Sequence, residues 1–192
     1  MAEMNDSFNE VTAEMLKVIS DYDSVTGFQG AYNIRQDSMC AGRKNSENIT
    51  IESKTDKPGI NIRVKPGTKG ETVYIPACVT HSNVDDLVYN DFFIGEGADV
   101  TILAGCGVHS DGSETARHNG IHRFFLEKGA KVLYKEKHIG TGKGTGLRRI
   151  DPVTDAYLKE DSYLEMDTVQ LRGVDRTTRS TSAVLDKGAK IV

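Results

Sequence analysis

"GADVTILAG", residues Gly97 to Gly105, is the stretch on which the reading of the fold turns. Its first four residues, Gly97-Ala98-Asp99-Val100, return as Gly129-Ala130-Lys131-Val132 and again as Gly188-Ala189-Lys190-Ile191. Between the last two copies, Asp161-Ser162-Tyr163-Leu164 holds the equivalent place, and the successive offsets are 32, 32 and 27 residues. A turn that feeds a short strand at a period of about 30 residues is the signature of a stacked architecture, a β-helix or a propeller. A sandwich rarely keeps its turns so evenly spaced. Short strands with glycines at the corners favour a parallel β-helix, and the fold class is therefore all-β.

The flanking sequence agrees. NITIES, GINIRV, ETVYIPACVT, DLVYNDFFIG, HRFFLE and AKVLYKEKH are runs rich in β-branched and aromatic residues, separated by Gly, Asn and Asp. Asn61-Ile62-Arg63-Val64 and Asp99-Val100-Thr101-Ile102 alternate polar with apolar, as half-buried strands do. Only the start of the chain reads as helix. Ser7-Phe8-Asn9-Glu10 has the form of a capping box, and Phe8, Val11, Met15, Val18, Ile19 and Tyr22 follow helical spacing. This divides the chain into a helix with its linker over 1–27 and a solenoid over 28–192. The last residues, Lys190-Ile191-Val192, fall inside a fresh copy of the repeat. Because a solenoid needs its last rung covered, the expectation is a longer natural chain or a covering subunit.

With 38% hydrophobic and 27% charged residues, the chain has the composition of a soluble protein. A net charge of −4 argues against nucleic acid and anionic membranes as partners, since both demand a basic surface. No apolar run approaches the roughly 20 residues of a spanning helix. The polar, acidic start MAEMNDSFNE does not resemble a secretory signal. Cys40, Cys78 and Cys106 are odd in number and lack a CxxC pair, which fits a reduced, cytoplasmic protein better than a disulfide framework.

Candidate chemistry concentrates in "LAGCGVHSDGSETARHNGIHRFF", where Cys106, His109, His118 and His122 fall within 17 positions. The spacing matches no standard zinc motif. On one strand His118 and His122 would share a face about 13 Å apart, at roughly 3.3 Å per residue, too far for one ion. From spacing alone the plainer reading is favoured: a buried thiol at a strand end with histidines on an exposed loop. "KHIGTGKGTGLRRID" has glycines at 140, 142, 144 and 146 but fits neither the P-loop nor the dinucleotide fingerprint. A flexible basic loop between rungs is the simpler account, and a contact for an anionic ligand or acidic partner is the functional one. No nucleophile elbow is present. Asp85, Asp86 and Asp91 read as a solvated sheet face, Cys78 as core, and Cys40 as the most exposed thiol.

Three segments carry a family resemblance: Gly30 to Val79, Asp86 to Gly112 and His118 to Pro152. Together they resemble the shorter branch of the SufB/SufD family, the iron–sulfur cluster assembly proteins of the SUF system. The likeness runs from about Phe28 to the end and is most specific over Asp99–Asp111 and His118–Pro152. It implies a right-handed parallel β-helix. It also implies work with a SufC-type ABC ATPase, a SufB/SufD-type partner subunit or a second copy, and a cysteine desulfurase system as sulfur donor. Gly105-Cys106 and His118 match a Gly-Cys step and a later histidine in longer SufB proteins, making Cys106 the candidate sulfur-handling thiol and His118 its neighbour. The loop bearing His109 and Asp111-Gly112 departs from those proteins. The family's nascent-cluster cysteine, its acidic ligands and its ATPase-docking helices lie in a C-terminal part that maps onto nothing here.

The resemblance therefore implies a scaffold component of cluster assembly rather than a classical enzyme. An iron–sulfur cluster would be carried transiently, with ligands from residues or subunits outside this chain. Two other readings stand beside it. One is a structural SufD-like subunit without a cluster site; the other is a mononuclear metal enzyme with Cys106, His118 and His122 as ligands.

Overall fold

The computed structural model of the protein describes residues 8–19 and 28–192. Helix α1 (Glu10–Ile19) precedes strands β1 (Ala31–Gln36), β2 (Met39–Lys44), β3 (Ile49–Ser53), β4 (Gly59–Val64), β5 (Lys69–Val79), β6 (Asp85–Ile94) and β7 (Asp99–His109). These are followed by β8 (Ala116–Leu126), β9 (Lys131–Thr141), β10 (Arg148–Ile150) and β11 (Val153–Leu158). The last are β12 (Tyr163–Arg172), β13 (Arg176–Thr177), β14 (Ser180–Leu185) and β15 (Lys190–Ile191). Among the described residues no helix is long and apolar enough to cross a membrane.

The strands form a parallel β-solenoid of about four turns, in agreement with the repeat. One sheet stacks β5, β7, β9, β12 and β15; the other stacks β4, β6 and β8, followed by β10 with β11 and β13 with β14. The pairing register reproduces the sequence offsets: Asp99 lies beside Lys131, Lys131 beside Tyr163, and Tyr163 beside Lys190. At the N-terminal end the stack is not parallel. There β2 folds back on β1 and β3 on β4 as antiparallel pairs, a feature the repeat does not encode.

Why the corners hold is visible in the backbone. Gly67, Gly97, Gly129 and Gly188 have φ between 64° and 74°, and Asp161 takes the same left-handed conformation at 56°. Glycine adopts it without steric cost, and aspartate is among the few residues that tolerate it. The residue after each is small, and Thr68, Ala98, Ala130 and Ser162 are buried while Ala189 is half-buried. Its N–H closes a turn onto the carbonyl three residues back, as from Ala98 to Gly95 and from Ala130 to Glu127. The corner residue's own N–H points to the next rung, Gly97 to Lys128 O and Gly129 to Glu160 O, both at 2.9 Å.

α1 lies on the outer face of the sheet that contains β7. Its first free N–H groups are capped by Asn9, whose Oδ1 accepts from Thr12 N at 2.8 Å. Ser7 of the expected capping box and Tyr22 of the expected stripe lie outside the described residues. Of that stripe Met15 and Ile19 are buried, joined by Leu16, whereas Val18 is exposed. The helix sits close because β7 turns Gly105 and Gly107 outward. A Cβ on Gly105 would come within 2.8 Å of Ile19 Cβ, and one on Gly107 within 2.5 Å of Met15 Sδ. Cys78, on the neighbouring β5, is buried in this helix-to-sheet layer with Met15, Leu16, Ile19 and Tyr74.

The glycine-rich stretch 140–146 is likewise a packing device. Gly144 donates to Ser110 O at 2.8 Å and Gly146 to Gly112 O at 2.9 Å, so the loop lies backbone on backbone over the previous rung. A Cβ on Gly144 would fall 2.5 Å from Gly112 O. Lys143 of this loop, with His109 and Arg172, also lines a groove of about 730 Å3 against α1.

Replacement of Gly107 by alanine is expected to push α1 off the sheet and cost roughly 1–3 kcal/mol, the range for overpacking a filled site. Equilibrium urea unfolding measures the cost. Native alkylation of Cys78, protected in the parent and faster in the variant, reports the undocking.

Candidate functional site

Alternation along the strands sends every second side chain into the solenoid. The apolar inward residues gather toward the glycine corners: Phe92, Ile94, Val100, Ile102, Phe124, Leu126, Val132 and Tyr134. Phe92 and Phe124 stack at 4.5 Å between centroids, with Tyr134 edge-on to Phe124 at 5.3 Å. Farther from the corners the same strands turn polar groups inward. Asp86 and Asn90 come from β6, Cys106 from β7, His118 and His122 from β8, and Glu136 and His138 from β9; all are buried. Register brings them together, because Asp86 pairs with His118, Asn90 with His122, and Cys106 with His138.

Two clusters result. In the first, Asp86, wholly buried, accepts from Arg35 Nε and Nη2, from Ser38 Oγ at 2.9 Å and from His118 Nδ1 at 3.0 Å. Burial pushes its carboxyl up, but the hydrogen bonds from His118 and Arg35 and the guanidinium charge prevail and hold it well below the usual carboxylate range. An ionised Asp86 accepting from Nδ1 orients the imidazole and leaves Nε2 as the ring's second, unshared nitrogen. Asp86 is therefore not part of a solvated face. Asp91, on the outer side of β6, is covered as well: Lys54 Nζ lies 2.6 Å away and Arg123 pairs with it from β8. β6 runs unbroken from Asp85 through Asp91, so the three carboxylates belong to one strand.

The second cluster is Cys106, Glu136 and His138. One ligand atom of each lies within 4.8 Å of the other two. Glu136 accepts from Tyr134 Oη at 2.9 Å and from Arg179 Nη2 at 2.5 Å, and its Oε2 lies 3.4 Å from His138 Nε2. Burial raises its carboxyl; the contact with His138 and the guanidinium of Arg179 overcome this and hold it well below the usual carboxylate range. Cys106 experiences the opposite balance. Burial, and then the charge of Glu136, push its thiol well above the ordinary range. The resting state is the neutral thiol, so the nearby histidines do not make Cys106 a thiolate as their proximity in sequence suggests.

Cys106, His118, His122 and Asn90 line one internal cavity of about 20 Å3, which suffices for about one water-sized occupant. His122 packs between Phe92 and Tyr134, and its Nδ1 has no hydrogen-bond partner; burial lowers its pKa to about 4. The expected metal trio of Cys106, His118 and His122 thus faces one lumen, but the compact donor group is Cys106 with Glu136 and His138. The histidines are not on an exposed loop, and Cys106 is inside β7 rather than at a strand end. His109 points outward, with Nδ1 2.9 Å from Thr141 Oγ1. Cys40 is exposed and Cys78 buried, as their sequence contexts indicate.

No protein-family model and no solved structure matches the chain significantly. Curated archaeal proteins do. A protein of Methanothermobacter thermautotrophicus (strain Winter) named as an iron–sulfur cluster assembly SufBD family protein is 32% identical over 89 residues, 45% of this chain and 21% of that protein. Its namesake in Archaeoglobus fulgidus is 33% identical over 98 residues, 50% of this chain and 26% of the relative. A third, from M. thermautotrophicus strain Delta H, is 30% identical over 89 residues. The matched segment thus spans about a quarter or less of each relative. These matches support SufB/SufD family membership.

The buried imidazole of His122 gives a testable pH dependence. Unfolded, it takes a proton near its ordinary value of 6.5; folded, only near 4. Between these values the unfolded state binds more protons, so stability falls as pH falls through this window. Urea unfolding at a series of pH values should show that slope, and His122→Phe should flatten it. A further loss below about pH 4, the ordinary carboxylate range, should remain, because Asp86 and Glu136 are ionised when folded.

Proposed function

We propose that this SufB/SufD-family chain acts as a scaffold component of SUF-type iron–sulfur cluster assembly, with Cys106 handling sulfur inside the β-helix. The observation that carries the reading is one cavity lined by the Cys106 thiol and by His118, whose other ring nitrogen is held by Asp86. The names of the archaeal relatives supply the process; the cavity supplies a chemistry suited to it.

A buried neutral thiol must lose its proton before it can accept sulfur, since the thiolate is the nucleophile. His118, oriented by Asp86, is the base within the same cavity. The sulfur donor is a protein persulfide of the cysteine desulfurase system. Cys106 Sγ attacks the terminal sulfur, the donor's S–S bond breaks, and the donor leaves as a thiol with the proton passed through His118. Cys106 then holds a persulfide, and no outside oxidant or reductant is consumed. A cavity for about one water-sized occupant suits a single added sulfur. The cluster itself is cargo, completed by ligands from other residues or subunits. In this reading the partners are a SufC-type ABC ATPase and a SufB/SufD-type subunit or second copy, and the setting is the cytoplasm.

One observation favours the second reading, a SufD-like structural subunit. Cys106 is only 5% exposed and its thiol is held neutral. The two readings separate in one experiment. After anaerobic incubation with a protein persulfide donor, mass spectrometry should find one added sulfur atom on Cys106 in the parent chain and in Cys40→Ser. His118→Gln should slow the gain about a hundredfold or more, the scale of a lost general base. A Cys106 that stays unmodified and resists alkylation in the native chain would leave the structural reading standing.

A further inference from the structure

Beyond sulfur handling, the donor group of Cys106, Glu136 and His138 has the composition of a transition-metal site. Thiolate, carboxylate and imidazole are the three ligand types that divalent first-row ions combine, and hard oxygen-seeking ions do not take thiolate. The three residues come from paired strands at fixed register, Cys106 directly beside His138 and Ala104 beside Glu136. That makes the group part of the rigid solenoid rather than of a loop. Its atoms lie within 4.8 Å of one another, whereas tetrahedral coordination at bond lengths of roughly 2.0–2.3 Å needs donors about 3.5 Å apart. Side-chain rotation closes a gap of this size.

Two further observations point to a ligand. His138 Nε2 is buried and makes no hydrogen bond, meeting Glu136 only at 3.4 Å. His122 Nδ1, also buried and without a partner, faces the same interior. A buried imidazole nitrogen without a hydrogen bond is costly unless something occupies it, and His122 Nδ1 has no partner of any kind. The remaining contacts of Glu136 have the form of outer supports: Tyr134 Oη donates to Oε1, and Arg179 holds Oε2. Arg179 is itself 31% exposed while Glu136 is 1% exposed, so the guanidinium connects the buried carboxylate to the outside.

We propose that Cys106, Glu136 and His138 bind one divalent transition-metal ion inside the β-helix, with the unpartnered, buried imidazole of His122 a further ligand available to it. Binding is an exchange: the Cys106 S–H proton leaves, an S–metal bond forms, and the metal keeps its oxidation state. Arg179 opposes the ion through its charge and must move aside, which makes it the gate of the site. The site requires no sulfur donor and stands whether or not Cys106 accepts sulfur.

The test is anaerobic titration of the full chain with Co2+ alone. The expected result is a one-to-one complex with thiolate-to-cobalt charge-transfer absorption and tetrahedral d–d bands, displaced by Zn2+. Glu136→Gln and His138→Gln should each weaken binding by about tenfold or more, and Arg179→Gln should tighten it. Cys106→Ser should abolish the charge-transfer band, and Cys40→Ser should leave it in place. Circular dichroism and urea unfolding confirm that each variant is folded. Should any one variant fail to fold, the others and the zinc displacement still decide the outcome. Absence of the band in the folded parent, or a band indifferent to Glu136→Gln and His138→Gln, overturns the site. Sulfur uptake by Cys106 in a chain that shows no such band would reject the metal site and leave the sulfur reading intact.

Discussion

The rung-to-rung hydrogen bond of the left-handed corner is the constraint on which the rest depends. Gly67, Gly97, Gly129 and Asp161 each donate an N–H to a carbonyl of the next turn, and that bond sets the phase between turns at 32 residues through the central rungs. Phase decides chemistry here. With Gly97 above Gly129, Cys106 must lie beside His138; with Asp85 beside Arg117, Asp86 must meet His118. A slip of one residue would turn each of these side chains from the lumen to the outer face, because strand side chains alternate. It would also drive Cys106 into α1 where only Gly105 and Gly107 leave room.

The interior is divided between two kinds of cohesion. Near the corners the aromatic and aliphatic stack is held by burial, with Phe92, Phe124 and Tyr134 in ring contact. Away from the corners the lumen contains ionised Asp86 and Glu136, and a buried charge is tolerated only with close partners. Arg35, Ser38 and His118 serve Asp86; Tyr134, Arg179 and His138 serve Glu136. Apolar residues of similar size would fold as well or better, since buried ion pairs add little net stability. The lumen thus keeps two charged networks around a thiol where apolar packing would serve stability as well.

Much of this was legible in the sequence, and the rest was hidden for a definable reason. The corner tetrapeptide announced the solenoid and its period, and the Gly-Cys step with the later histidine marked Cys106 and His118. Glu136, His138 and the role of Asp86 were not visible along the chain, because each meets its partner across a rung. The signal was nonetheless present in the period: 32 residues beyond Cys106 is His138, and 32 beyond Asp86 is His118. The glycines at 140–146 were misleading for the opposite reason. Their crowding suggested a ligand-binding or flexible loop, but backbone-to-backbone stacking on 110–114 demands the same composition. The antiparallel pairs of β2 and β3 left no trace in the repeat, since they interrupt it.

The turns are not equally long, and apart from bulges in β5 between Lys69 and Glu71 and in β12 between Gln170 and Arg172 the difference lies on one side. Paired strands are offset by 30 residues from β4 to β6, by 32 in the next two turns, and by 27 from β11 to β14. The corners stay the same throughout, while the connection opposite varies: 142–147 lies between β9 and β10, but only 173–175 between β12 and β13. Length change at that side is absorbed without disturbing the phase on which the lumen depends. The fold thus separates a constant spine from an editable flank, so that loops can be grafted, lengthened or trimmed along one seam while the buried side chains stay in step.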